Sequence, residues 1–241
     1  MCGRFTQIKT RSDYLEFLAS ELEFNGVLDP IPIGRYNVAP GTRVLILNQR
    51  EDELYLDPLM WGYGPEWWRQ MGRAPVINAR VETAAESRMF KPLWRHGRSL
   101  VMADGWYEWK KSPEDPKIKQ PWFIYHENQT PIFFAAIRRF HSDETESPED
   151  HGFVIVTAAS DSGLVDIHDR RPVVLPPDAA REWMNSDTSP ERAKEIALEA
   201  LTPAEEFDWH PVIKKVGNIR NNSPELIEPL DALFHHSPDN G

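Results

Sequence analysis

Seven apolar stretches of strand length, at 43–48, 54–61, 99–103, 106–110, 121–126, 131–137 and 153–159, dominate the middle of this 241-residue chain. They are rich in β-branched and aromatic residues and are bounded by turn-forming residues, so the core must be built from sheet. Helical patterning is confined to the flanks and one interruption. Residues 12–24 place Leu15, Leu18, Ala19 and Leu22 on one face behind Ser12 as N-cap. Residues 81–89 favour a short helix that Pro92 closes or bends, and 178–185 and 190–201 read as helices opened by Asp178 and Ser189-Pro190. Residues 172–175 read as a further strand. Residues 29–41 read as a proline- and glycine-marked loop, 142–150 as an acidic solvated loop, and 235–241 as a frayed tail. No repeat or composition break divides the chain. The expectation is one α+β domain over 1–230, followed by a flexible tail, 231–241.

Cys2 is the only cysteine in the sequence. A small second residue is the type from which methionine aminopeptidases remove Met1, and the mature chain is therefore expected to begin at Cys2. That would set an α-amine, with a pKa of about 7.7–8.0, and a thiol, about 8.5, on one residue. Such a pair condenses with an aldehyde and closes to a thiazolidine, and the second step gains the effective molarity of an intramolecular reaction. An incidental terminal cysteine is the bland alternative. One cysteine excludes an internal disulfide framework and a cysteine-rich zinc site, and points to a reducing, cytoplasmic setting. No apolar run has the roughly 18–20 residues needed to cross a bilayer, and residues 2–14 are largely polar, unlike a signal peptide. HExxH, Walker-type, GxGxxG and GxSxG motifs do not occur, which removes several hydrolase and nucleotide-enzyme classes.

The net charge of −11 argues against tight, indiscriminate nucleic-acid binding. Residues 69–111 run the other way, with nine bases against four acids, a local excess of +5. They form either a basic surface for a transient, lesion-directed contact or an ordinary solvated face. Three clusters carry more chemistry than a core needs. In residues 61–69, Gly62 and Gly64 argue for a loop on which Trp67 and Trp68 beside Arg69 offer a stacking platform for single-stranded bases, or simply anchor the loop. Asn78 and Arg80 stand where a strand gives way to a helix, placed to hold a phosphate or sugar, although Asn is also a common cap. Glu108 lies between Tyr107 and Trp109. Packing among rings disfavours its charge and suits a general acid, unless the alternation turns it to solvent. His168, flanked by Ile167 and Asp169 with Asp166 close by, has the setting of an acid/base tuned near neutral pH.

Taken together, Met-Cys-Gly-Arg-Phe at 1–5, Tyr-Asn-Val-Ala-Pro at 36–40, the Trp-Gly-Tyr loop from 61, Asn-Ala-Arg-Val-Glu-Thr at 78–83, Ser-Arg-Met-Phe-Lys at 87–91, Ala-Asp-Gly-Trp-Tyr-Glu-Trp at 103–109 and Asp-Ile-His-Asp-Arg-Arg-Pro at 166–172 resemble the SRAP family, the SOS response-associated peptidase domain. The resemblance runs from residue 1 to about 230 and is closest to small bacterial members. It implies an α+β domain on a twisted, barrel-like β core with flanking helices and a basic DNA-binding groove. It implies a monomer, acting in the bacterial cytoplasm and on the nucleoid when bound, that shields abasic sites in single-stranded DNA without metal, cofactor or membrane. Cys2 would form the thiazolidine, Asn78 would hold the sugar or phosphate, and Glu108 would move protons. His168 would be a second acid/base for sugar opening or reversal. Arg4, Arg80, Arg88, Trp67 and Trp68 would hold the kinked strand, with Met89 and Phe90 as a wedge. An N-terminal-cysteine peptidase using Cys2, His168 and Asn78, and a noncatalytic single-strand binding module, are the two competing readings.

Overall fold

A computed structural model describes residues 2–28, 30–139 and 151–234; the acidic loop and frayed tail expected at 142–150 and 235–241 lie outside the described residues. The chain opens with β1 (Phe5–Gln7), α1 (Arg11–Leu18), β2 (Glu23–Phe24), β3 (Arg35–Val38), β4 (Arg43–Arg50) and β5 (Glu53–Met60). Next come α2 (Glu66–Gln70), β6 (Asn78–Arg80), α3 (Val81–Ala84) and α4 (Lys91–His96). The strand-rich middle follows as β7 (Arg98–Ala103), β8 (Gly105–Lys111), β9 (Lys119–His126), β10 (Ile132–Arg139) and β11 (Gly152–Ala159). The chain then forms β12 (Arg170–Pro172), β13 (Val174–Leu175), α5 (Pro177–Met184), α6 (Pro190–Glu199), β14 (Phe207–Pro211) and α7 (Leu230–Phe234).

Two sheets face each other. The smaller runs β14-β9-β8-β1-β3, and the larger runs β12-β11-β10-β7-β4-β5-β2, with β13 beside β10 and β6 beside β11. Alternation along the strands sorts the core into layers. Val101 and Ala103 of β7, Trp106 of β8 and Phe134 and Ala136 of β10 join Cys2, Phe5 and Trp61 between the sheets. Leu100, Met102, Phe133 and Ala135 point the other way, toward Leu18, Leu93, Trp183 and Ile196 on the helices. Tyr107 and Phe123 leave the small sheet on its outer face, covered by Val212, Val216 and Leu226. Phe5 meets Trp61 at 5.1 Å and Phe134 at 5.8 Å, and Trp106 meets Phe207 at 5.2 Å, ring contacts worth about 0.5–1.5 kcal/mol each beyond area burial. This α+β, barrel-like core matches the class expected from sequence. Gly105 shows why the 103–109 motif needs its glycine: a Cβ there would lie 2.5 Å from the Ile124 carbonyl and from the Phe123 ring.

The helices depart most from expectation. Thr10, not Ser12, caps α1, in a reciprocal box with Asp13, and Ala19 ends the helix in the left-handed region at φ 50°. Residues Glu23 and Phe24 then pair with β5, so their backbone groups serve the sheet and no helix reaches 24. The helix after Arg80 stops at Ala84, and Pro92 sits in the first turn of α4, where its missing N–H costs nothing; it opens a helix and closes none. Trp67 and Trp68 lie on the short α2, not on a loop. Residues 35–38, expected in a loop, form β3 against β1. Of the nine bases counted as a local surface, Arg98 is buried and spends its guanidinium on the carbonyls of Trp94, Arg95, Trp183, Asn185 and Thr188.

Candidate active site

β1 fixes the N-terminus beside β8: Phe5 lies opposite Trp106, Thr6 opposite Gly105, and Tyr107 N–H donates to Arg4 O at 2.9 Å. The same antiparallel register, carried back, brings Gly3 alongside Glu108 and seats Cys2 next to it. The Cys2 side chain is fully buried among Phe5, Trp61, Trp106, Ile155 and Ile167. Burial pushes its thiol up from the ordinary range, and the nearby Glu108 charge pushes it further. Asn78 reaches the same point from the large sheet. β6 runs parallel to β11 with Asn78 opposite Ile155, and Asn78 Nδ2 donates to Cys2 O at 2.9 Å. Asn78 Oδ1 is buried with no hydrogen-bond partner among the described residues.

Glu108 shares Trp106's face of β8 and is 3% exposed. Burial pushes its carboxyl up to about 7; the positive chain terminus pulls it down, and Asp169 pushes it up again. His168 follows a 3-10 turn (Leu164–Asp166) and donates its backbone N–H to Leu164 O at 3.1 Å. Its Nδ1 accepts from Arg170 N–H at 3.1 Å and also lies 2.8 Å from Asp169 Oδ1. These contacts belong to two states of Nδ1: without a proton it takes the Arg170 N–H, and with one, in the Nδ1–H tautomer or the imidazolium, it donates to Asp169. Desolvation lowers the His168 pKa, as does the terminal ammonium, while Asp169 opposes both. Glu108 and His168 line one cleft of about 480 Å³, with Lys110, Lys111, Lys119 and Asp169 on its walls.

The structure thus groups Cys2, Asn78, Glu108 and His168. Arg80 and Arg88 are exposed. Arg88 stacks on Trp67 at 4.7 Å and Arg73 on Trp68 at 4.6 Å, while the two tryptophans meet edge to face. Trp67, Trp68 and Phe90 pack against the helix-side core, and Met89 is a buried member of it, 8% exposed. Arg4 bonds Asn37 Oδ1 and Val216 O, both at 2.7 Å, and so ties the N-terminus to β3 and the C-terminal segment. Arg170 is the residue sequence reasoning passed over. It grips Glu82 with two hydrogen bonds of 2.6 and 3.0 Å and Thr157 O at 2.6 Å, fixing the strand that begins two residues after His168. Its position in the 166–172 motif was the available signal.

Glu108 and His168 thus line one cleft, and Asn78 holds the buried Cys2 next to Glu108. The chain belongs to the SOS response-associated peptidase (SRAP) family, whose model matches residues 1–219. It is 56% identical over 230 residues to abasic site processing protein YedK of Escherichia coli, covering 95% of this chain and all of that one. Abasic site processing protein HMCES of Pongo abelii is 30% identical over 236 residues, covering 82% of this chain and 66% of the relative. Among solved structures, a phage-related protein of Bordetella bronchiseptica superposes with a TM-score of 0.72 at 40% identity, covering 88% of this chain and 95% of the other.

Proposed function

We propose that this protein recognises abasic sites in single-stranded DNA and, after Met1 is removed, joins them through Cys2 as a thiazolidine that shields the lesion from strand cleavage. The carrying observation is the Asn78 hydrogen bond to the Cys2 carbonyl, which holds the N-terminal residue beside buried Glu108. The bacterial and mammalian relatives are named as abasic site processing proteins, which supports the substrate class.

The chemistry assigns each group a step. The abasic sugar opens when its anomeric hydroxyl loses a proton and its ring oxygen gains one, freeing the C1′ aldehyde. A histidine held neutral and a carboxyl poised near 7 suit that exchange. The Cys2 amine adds to C1′, and the carbinolamine expels one water to leave an imine. The thiol gives its proton to Glu108 as sulfur bonds C1′, and the ring nitrogen takes a proton in return. One water leaves overall, and no electron is gained or lost. Asn78 Oδ1 would accept from a sugar hydroxyl. Asn78 also bears on the peptidase reading: its amide is given to the Cys2 carbonyl, one residue beyond the carbonyl that cleavage of the Met1–Cys2 bond would attack.

The test mixes purified protein with an oligonucleotide carrying one abasic site, or a tetrahydrofuran analogue without the aldehyde, followed by denaturing electrophoresis and intact mass. The expected product appears only with the aldehyde, at the mass of protein lacking Met1 plus DNA minus one water, and disappears in Cys2→Ala. Equal binding of both strands with no covalent species would replace the proposal with a binding module.

A further inference from the structure

The β8–β9 hairpin ends in a feature that neither stability nor the chemistry above requires. Lys111 of β8 stands directly opposite Lys119 of β9, a like-charged cross-strand pair of the kind that destabilises a sheet. Lys110, one residue back, lies with its ammonium 5.7 Å from the Trp122 ring. Among the described residues, none of the three has a carboxylate within ion-pair distance, although this chain carries 38 acids to 27 Lys and Arg. All three lysines line the cleft that holds Glu108 and His168. Asp166 and Asp169 line it as well, and Asp169 lies 2.8 Å from the His168 Nδ1. Lys111 is near enough for its charge to act on the His168 imidazole. Three cations therefore line one cleft, and none of them is ion-paired among the described residues.

We propose that Lys110, Lys111 and Lys119 form a phosphate subsite that holds the DNA backbone beside the lesion as it leaves the cleft. This rests on the abasic-site reading for its ligand. The like-charged pair is tolerated because an anion belongs between its members; a bridging phosphate turns the repulsion into two charge-assisted contacts. Lysines suit the role, since flexible ammoniums hold a phosphate as point charges without reading base sequence. The arrangement also explains how a chain of net charge −11 keeps hold of a polyanion in a cleft that also holds Glu108, Asp166 and Asp169.

The experiment measures noncovalent binding to the tetrahydrofuran oligonucleotide against salt, for the full chain and for Lys111→Gln/Lys119→Gln. One neutral methylphosphonate is placed in turn at each linkage flanking the analogue. Because this readout needs no aldehyde, it stands apart from the crosslinking test; failure to crosslink with an intact salt response would sink the abasic chemistry and leave the subsite standing. The double variant is expected to bind several-fold more weakly at moderate salt, with the slope of log K against log salt shallower by about 0.7 for each phosphate no longer neutralised. One methylphosphonate position should cost the wild type the same factor and cost the variant nothing. Inorganic phosphate at millimolar concentration should leave the wild-type salt slope unchanged; if it alone protects Lys111 and Lys119 from amine-directed labelling as well as the oligonucleotide does, the site takes free phosphate instead of a strand. An unchanged slope in the variant, or methylphosphonate losses identical in both proteins at every linkage, would overturn the proposal. Lys91→Gln/Lys117→Gln controls for general charge loss and should leave that linkage's effect in place.

Discussion

Glu108 and His168 line the same cleft from opposite kinds of structure. Glu108 sits mid-strand, 3% exposed, with both neighbouring strands hydrogen-bonded around it. His168 sits on a loop, half-buried, and relies on Asp169 and the Arg170 backbone for its orientation. Burial disfavours charge in both, but the signs differ: the acid rises to about 7 and the base falls below its ordinary 6.5. The usual order of the two proton affinities is thereby inverted, the carboxyl rising above the imidazole. A single physical cause, burial, acts with opposite sign on groups of opposite charge type.

Breaking the strand side of this comparison should matter most. Glu108→Gln keeps the shape and removes the proton acceptor. Crosslinking to the abasic oligonucleotide is expected to slow by about 10³-fold in single-turnover assays, within the ordinary range of general acid–base catalysis. A rate within twofold of wild type would remove Glu108 from the chemistry. The same variant sharpens the electrostatic half of the comparison. The folded chain holds the Glu108 proton up to about 7 against an ordinary 4.5, so between those values the native state binds more protons than the unfolded state. Stability is therefore lost as pH rises through that window, on the order of 3 kcal/mol by pH 8, and Glu108→Gln should abolish that loss in denaturant titrations at pH 5 and 8.

On the loop side, His168→Gln is expected to cost less, about 10²-fold, in ring opening and reversal. A chase of the formed crosslink with excess abasic strand reads it directly; unaltered reversal would leave His168 a spectator. The smallest effect is expected from Asp169→Asn. Asp169 favours the protonated form of both His168 and Glu108, so its removal should move both titrations to lower pH. The pH–rate profile should shift acidward without change in shape, and an alkaline shift would contradict the assigned geometry.

Much of this was legible beforehand because it depended on local chemistry. Apolar runs rich in β-branched and aromatic residues marked the seven long strands within one or two positions; β7, β10 and β11 are buried on both faces and so read as continuous apolar stretches. What escaped were elements whose partners are distant. β3 carries buried polar Asn37, satisfied by Arg4 and by the carbonyls of Val216, Asn218 and Asn221, so its pattern looks like a loop. Arg98 likewise counted as surface charge until five carbonyls closed around it. Arg170 stood in a motif, but its partner Glu82 lies 88 residues away and only the fold brings the two together.

By itself the sequence determined the sheet-built α+β class, the lone thiol at Cys2, and the types of acid, base and amide residue in its motifs. These follow from side-chain chemistry and from the periods of strand and helix. The tertiary structure alone decided which of them meet. It paired β1 with β8 so that Cys2 lies beside Glu108, and it laid β6 parallel to β11 so that Asn78 reaches the Cys2 carbonyl. It also buried Glu108 deeply enough to lift its proton affinity toward neutrality, because desolvation is a property of the packed surroundings and not of the residue.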